Sequence, residues 1–236
     1  MGAAADDPAD GGAPSGIGRR RAAAKDEGRA AYTTKRAEIA AAAADLFKRE
    51  GFRGTSIGRI AEAAGLDRAT LYYYVGSKEE LFDEVVTDAV RANVATAETV
   101  TAGPGTVPEK LRRLVTELMA SYARNYPLLY VFIQENLSHV SDARAQWSQE
   151  MRGLNRRYEE LLTGLIADGI ADGSLRPVAE PWVMAYGVIG MVGWTNRWFN
   201  PETSSVDAAT IGTAYADIML RGMLADPSTE PGQQQG

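Results

Sequence analysis

Apolar residues recur at helical spacing through most of the chain. Ile39, Ala43, Leu46 and Phe47 fall at i, i+4, i+7 and i+8, the stripe of an amphipathic helix. That helix is expected to start near residues 33–34 and run to about Glu50. Gly51 is its natural stop, and Phe52 can fold back on its end. The period restarts behind Thr55 and Ser56, whose hydroxyls suit an N-cap, and Ile57, Ile60 and Ala61 share one face. Gly65 supplies the permissive backbone of a sharp turn. Asp67 can cap a second short helix in which Leu71 turns inward while Arg68, Thr70, Tyr72 and Tyr73 turn outward. A longer helix follows from Ser77, striped by Leu81, Phe82, Val85, Val86 and Ala89 and predicted to pass Val94.

Residues 101–108 (TAGPGTVP) read as a loop by composition. Beyond them the pattern stays helical. Residues 109–125 carry Leu111, Leu114, Leu118 and Tyr122 and end ahead of Pro127. Residues 128–140 are apolar and aromatic. A long helix is expected from 142 or 143 to 171 and to stop near Gly173, another over 181–199 with a proline in its first turn, and a last one over 206–224. No strand-like alternation and no internal repeat is present. The expected fold is all-α, with about nine helices. An N-terminal three-helix domain with a helix-turn-helix (31–78), its second short helix shaped for a DNA major groove, precedes a C-terminal helical domain (79–226). The arm at 1–30 and the tail at 227–236 lack an apolar period and are expected to be disordered.

Composition narrows the chemistry. The chain has 236 residues, 45% of them hydrophobic, with no cysteine and one histidine, His139. Disulfides and thiolate chemistry are excluded, a multi-histidine metal site cannot form, and no cofactor-binding motif is present. With no apolar run long enough to span a membrane and no signal-like N-terminus, a cytoplasmic protein is expected. The net charge of −6 conceals a split. Residues 17–78 hold 13 Lys/Arg against 7 Asp/Glu, whereas residues 79–236 hold 12 against 21. The basic third is the part suited to phosphates. Within it Arg19, Arg20, Arg21, Lys25 and Arg29 form a basic arm, which reads equally as a DNA contact or as a solvated tail.

The last two helices are rich in small residues: Gly187, Gly190, Gly193, Ala208, Ala209, Gly212 and Ala216. Each helical glycine costs about 1 kcal/mol relative to alanine, so several together imply close backbone approach. Two readings follow, a homodimer seam in which two helices from each chain form a four-helix bundle, or tight packing within one chain. Reading DNA with one short helix favours the first, since it calls for two half-sites.

The stretch from Thr55 to Leu81, with Ile39, Ala42, Leu46, Phe47 and Gly51 before it, resembles the tetracycline-repressor (TetR) family of bacterial transcription regulators. The residues carrying the likeness are Thr55, Ser56, Ile60, Ala61, Ala64, Gly65 and Leu66, then Thr70, Leu71, Tyr72, Tyr74, Val75, Ser77, Lys78, Glu79 and Leu81. Val75 and Gly76 depart from the common Phe and Pro. The resemblance implies a ligand-responsive repressor that binds a palindromic operator as a homodimer. Thr55 and Ser56 are then expected at phosphates, with Arg68, Ala69, Thr70 and Tyr73 on the reading face. Tyr72, Tyr74 and Lys78 resemble backbone clamps. Arg68 suits a guanine edge, and Ala69 or the Thr70 methyl a thymine methyl. Residues 194–201 (WTNRWFNP) and 215–222 (YADIMLRG) are similar to a subgroup controlling fatty-acid, steroid or other acyl-thioester catabolism, which implies an acyl-coenzyme A effector.

An effector pocket would lie between the middle helices. Tyr122, Phe132, Asn136, Trp147, Met151, Tyr158 and Tyr186 are candidate lining residues by helical phase, and Arg197 is a candidate for a ligand phosphate; each reads equally as core or as an ion-pair partner. A non-lipid effector, drug-like or aromatic, remains open within the same family. From another class stands a helical enzyme or small-molecule carrier, against which count the single histidine and the absence of cysteine, paired catalytic carboxylates or a phosphate loop.

Overall fold

A computed structural model describes residues 16–133 and 144–224, with side chains from residue 28 onward. Among these residues the chain forms nine α-helices: α1 (Gly16–Gly54), α2 (Ile57–Ala63), α3 (Arg68–Tyr74), α4 (Lys78–Ala102), α5 (Val107–Arg124), α6 (Leu128–Ile133), α7 (Ala145–Ala171), α8 (Pro181–Gly193) and α9 (Ala208–Met223). A 3-10 turn, Trp194–Arg197, follows α8. The only extended pairing among the described residues is an isolated bridge between Leu175 and Leu224.

Most element ends follow from side-chain caps. The Ser56, Asp67, Ser77 and Asp207 side chains accept from the N–H groups of Arg59, Thr70, Glu80 and Thr210 respectively, and Thr106 and Glu109 form a capping box. Gly51 breaks α1 at φ 73, and Phe52 turns back so that its ring lies 5.6 Å from Phe47 and 4.8 Å from Phe82. Gly173, at φ 78, ends the turn after α7.

The start of α1 differs from expectation. It begins at Gly16 rather than near residues 33–34, so residues 16–30 are helical rather than disordered. The sequence RRRAAAKDEGRAA over 19–31 lacks an apolar stripe. It is nevertheless made largely of strong helix formers, with Gly28 its only glycine and no proline. Once the buried part of α1 supplies the nucleus, each added residue needs only propagation.

Ile39, Leu46 and Phe47 of α1, Ile60 of α2, Leu71 of α3, and Val75 form the buried centre of the N-terminal domain. Each is worth about 1.5–3 kcal/mol on burial, which fixes α3 as a rigid outward-facing edge. The 25-residue α4 is about 37 Å long at 1.5 Å per residue. It packs on α1, α5 and α7, so one rod links both domains. Charged pairs mark that path. Arg36 of α1 donates to Glu80 (2.7 Å) and Glu84 (2.8 Å), and Arg144 grips the buried Asp83 through two bonds of 2.9 and 2.6 Å. Partial burial works to raise the Glu80 carboxyl, yet the bonds from Arg36 and the Gly76 N–H hold it below the usual glutamate range.

In the C-terminal domain α5 packs mainly on α9, and α7 on α4 and α8. The small residues divide between two roles. A Cβ added at Gly212 would lie 3.1 Å from Thr116 Cα and 3.3 Å from Met119 Cβ, so Gly212 serves close packing within the chain. Gly187, Gly190 and Gly193 would meet nothing within 4 Å. They lie beside the exposed side chains of Trp182, Val183, Tyr186, Trp194 and Trp198, an unusually apolar surface. Among the described residues no helix is long and apolar enough to cross a membrane.

Candidate nucleic-acid interface and effector cavity

On the reading face Arg68, Ala69, Tyr72 and Tyr73 are exposed and Thr70 is half-buried. The Thr70 N–H donates to Asp67 Oδ1 and its hydroxyl to Asp67 Oδ2, each at 2.8 Å; the N–H bond first and the hydroxyl second hold the Asp67 carboxyl low, and the Thr70 methyl is left as the part free to meet a base. Arg68 makes no ion pair among the described residues and lies beside Gly58 of α2, its Nε 3.5 Å from where a Cβ would be. Ser56 is exposed with its oxygen capping α2, which leaves its proton for a phosphate.

Three expected contact residues turn out to hold the reading head together. Thr55 is 2% exposed, and its hydroxyl donates to the Gly51 carbonyl at 2.9 Å. The Lys78 ammonium donates to the carbonyls of Phe52 (2.8 Å) and Thr55 (3.0 Å) and lies 4.2 Å from the Phe52 ring centre. It therefore pins α4 to the corner between α1 and α2. Tyr74 is half-buried and stacks on Tyr32 at 5.1 Å, while its carbonyl accepts from Arg36 and from the Tyr32 hydroxyl. Tyr32, which also meets Tyr73 edge-on at 6.0 Å, lies ahead of the apolar stripe of α1 and carries no sequence signal of this contact.

The middle helices line a half-open cavity of about 260 Å³. Of the expected lining residues, Tyr122, Phe132 and Tyr158 border it. Asn136 lies outside the described residues, as does His139. Met151 is fully buried and takes a contact from the Thr87 hydroxyl at 3.5 Å, so it is core. Trp147 donates through Nε1 to the Asp83 carbonyl and to Thr87 Oγ1, bracing α7 on α4. Tyr186 is exposed and donates to Glu159 at 2.9 Å. Arg197 is exposed on the surface, 5.4 Å from the Trp194 ring centre. Val90, Asn93, Val94, Leu118, Leu129, Ile133, Asn155, Glu159 and Ile189 complete the lining, and all but one of them look like ordinary helix positions in the sequence. Asn93, a polar residue set between Val90 and Val94, is the one that carried a readable signal.

The cavity is largely apolar; its polar groups are the Tyr122 and Tyr158 phenols, the Asn93 and Asn155 amides and the Glu159 carboxylate, which accepts from Tyr186. The Tyr122 and Tyr158 hydroxyls make no hydrogen bond among the described residues, although Tyr122 is only 8% exposed. Asn196 Oδ1 is the one fully enclosed side-chain polar atom there without a partner, so the two phenol oxygens border open space. Burial raises both phenols above the usual tyrosine range, with Tyr158 and Tyr130 adding to the effect at Tyr122. They are neutral donors facing an apolar space. No lysine or arginine is among the described lining residues, and no cluster of ligating side chains suited to a metal is found among them.

The fold, a helix-turn-helix joined by a long rod to a helical domain, is matched by known proteins. The family described as "Bacterial regulatory proteins, tetR family" matches residues 39–85, and "Tetracyclin repressor-like, C-terminal domain" matches residues 104–223. The transcriptional repressor KstR2 of Rhodococcus jostii is 28% identical over 194 residues, 82% of this chain and 92% of its own. The structure of the TetR family regulator PfmR from Thermus thermophilus covers 78% of this chain and 97% of its own, at 31% identity and a TM-score of 0.67. FadR from Bacillus subtilis, solved in complex with stearoyl-CoA, shares the fold at 18% identity, with 78% and 97% coverage and a TM-score of 0.63. These are transcription regulators rather than enzymes. The chain belongs to the TetR family, as a ligand-responsive, DNA-binding transcriptional regulator that works as a homodimer.

Proposed function

We propose that this regulator is a cytoplasmic repressor that binds a palindromic operator and leaves it when an acyl-coenzyme A fills the cavity. Ser56, Arg68, Ala69, Thr70, Tyr72 and Tyr73 contact DNA, whereas Thr55, Tyr74 and Lys78 set the angle of α3. Two α3 helices in successive major grooves need a separation of about 34–36 Å. The exposed face of Trp182, Tyr186, Gly187, Gly190 and Trp194, with Ile218 of α9, supplies the dimer seam that sets this spacing.

The observation carrying the effector reading is the pair of unpaired, neutral phenols in an apolar cavity. Such donors call for a neutral acceptor such as a thioester carbonyl. A free carboxylate would meet no cation among the described lining residues and would be costly to bury. At roughly 30 Å³ per water-sized group, the cavity holds on the order of nine heavy atoms, a short or medium acyl group. The same fold carries stearoyl-CoA in FadR. Ligand binding shifts the dimer only if the released form binds the effector more tightly than the DNA-bound form.

The test is fluorescence anisotropy of an operator fragment titrated with acyl-CoA esters from acetyl to palmitoyl. Release should be strongest in the short and medium range and absent with the free acids. If no ester of any length weakens operator binding, the effector assignment is wrong.

A further inference from the structure

Asn93 of α4 borders both the cavity and a second groove of about 510 Å³ that runs along the seam between the N-terminal domain and the effector domain. Ala40 and Ala44 of α1 and Ala92 of α4 floor that groove, so its walls are low and a chain can lie against them. Lys48 of α1 and Arg124 at the end of α5 stand at it, one from each domain. Neither makes an ion pair or a side-chain hydrogen bond among the described residues. The carboxylates at the groove are engaged elsewhere. Glu84 is held by Arg36 at 2.8 Å and Asp88 by Arg91 at 3.3 Å, so the two unpaired cations set the local sign. The Asn93 side chain likewise has no partner among the described residues.

We propose that the two spaces form one bipartite site for an acyl thioester of a phosphorylated carrier. This rests on the acyl-CoA reading above and extends it to the part of the ligand that lies outside the cavity. The acyl group occupies the cavity with its carbonyl under Tyr122 and Tyr158. The thioester arm passes Asn93, whose amide matches the amides of a pantetheine chain. The phosphates lie in the seam between Lys48 and Arg124. Because these two cations belong to different domains, a polyanion between them draws α1 toward α5 and resets the reading head. An acyl group alone fills the cavity without reaching α1, so the phosphorylated arm is the part that couples binding to release.

The experiment measures direct binding by isothermal titration calorimetry, without DNA, using octanoyl-CoA, octanoyl-pantetheine and octanoate. The full-length protein is compared with the double variants Lys48→Ala/Arg124→Ala and Tyr122→Phe/Tyr158→Phe, each checked for folding by thermal melt. Two charge contacts, one from the half-buried Lys48 and one from the exposed Arg124, are worth about tenfold together at most, so Lys48→Ala/Arg124→Ala should bind octanoyl-CoA up to about tenfold more weakly. It should bind octanoyl-pantetheine like the wild type, and only octanoyl-CoA binding should weaken as salt rises. The tyrosine variant should lose affinity for both thioesters alike. If wild type binds octanoyl-CoA and Lys48→Ala/Arg124→Ala binds it equally well, the bipartite site is overturned while the effector class stands. If the wild type binds neither thioester, the effector class falls with it.

Discussion

Replacing Tyr122 and Tyr158 by phenylalanine should weaken effector binding without weakening the fold. In the free protein the two hydroxyls have no hydrogen-bond partner among the described residues, so their removal takes no protein contact away. A buried polar group left unpaired costs about 1–3 kcal/mol, and part of that is relieved when the oxygen is deleted. The variant should therefore unfold at the wild-type temperature or up to about 4 °C above it, given roughly 2–4 °C per kcal/mol at this chain length. Binding should move the other way. Each donated bond to a neutral carbonyl contributes about 0.5–1.5 kcal/mol, a factor of roughly 2 to 12 per tyrosine. The assay pairs a thermal melt without ligand with a calorimetric titration of octanoyl-CoA. A destabilised variant with unchanged affinity would show that the phenols are ordinary core groups and refute the reasoning.

Other parts of the account can be checked independently. Leu71→Ala removes the fully buried anchor of α3 and should cost about 2–5 kcal/mol in urea unfolding, with operator binding lost alongside. Gly169→Ala sets a methyl 2.7 Å from both Leu175 and Val107, so overpacking of about 1–3 kcal/mol should appear in the same assay. Trp182→Glu with Ile218→Glu places charge on the exposed α8–α9 face, and sedimentation should then show monomers where the wild type is a dimer. The raised phenols give a signed pH dependence. Below about pH 10 tyrosine is neutral in both states, while above it the unfolded chain ionises first, so stability falls as pH rises. Tyrosinate absorbance should show a late-titrating fraction that Tyr122→Phe/Tyr158→Phe reduces, leaving Tyr130, which burial raises, and Tyr186, which its bond to Glu159 raises.

The reading head was legible because its signals are local. Caps at Ser56, Asp67 and Ser77 and a turn at Gly65 act within a few residues, and the stripe of Ile39, Leu46 and Phe47 has a single solution. What depends on tertiary placement was less visible. Thr55 and Lys78 look like phosphate ligands in one dimension, but the corner after Gly51 brings backbone carbonyls to both of them. Met151, Trp147 and Tyr158 share a helix and a broad inward face, yet only Tyr158 meets the gap that the packing leaves. Helical phase separates inside from outside; it does not separate a packed interior from an empty one. The glycines show the same limit, since Gly212 and Gly190 look alike in sequence and differ only in what surrounds them.

The central claim is that α3 of a homodimer reads a two-fold DNA site through Arg68, Tyr72 and Tyr73. Selecting binding sites from a random duplex pool with the full-length protein tests it most directly. The account predicts an enriched palindrome with half-sites one helical turn apart, whose recovery is lost with Arg68→Ala/Tyr73→Ala although the variant stays folded and dimeric. A pool without a palindrome, or one recovered equally well by that variant, would contradict it.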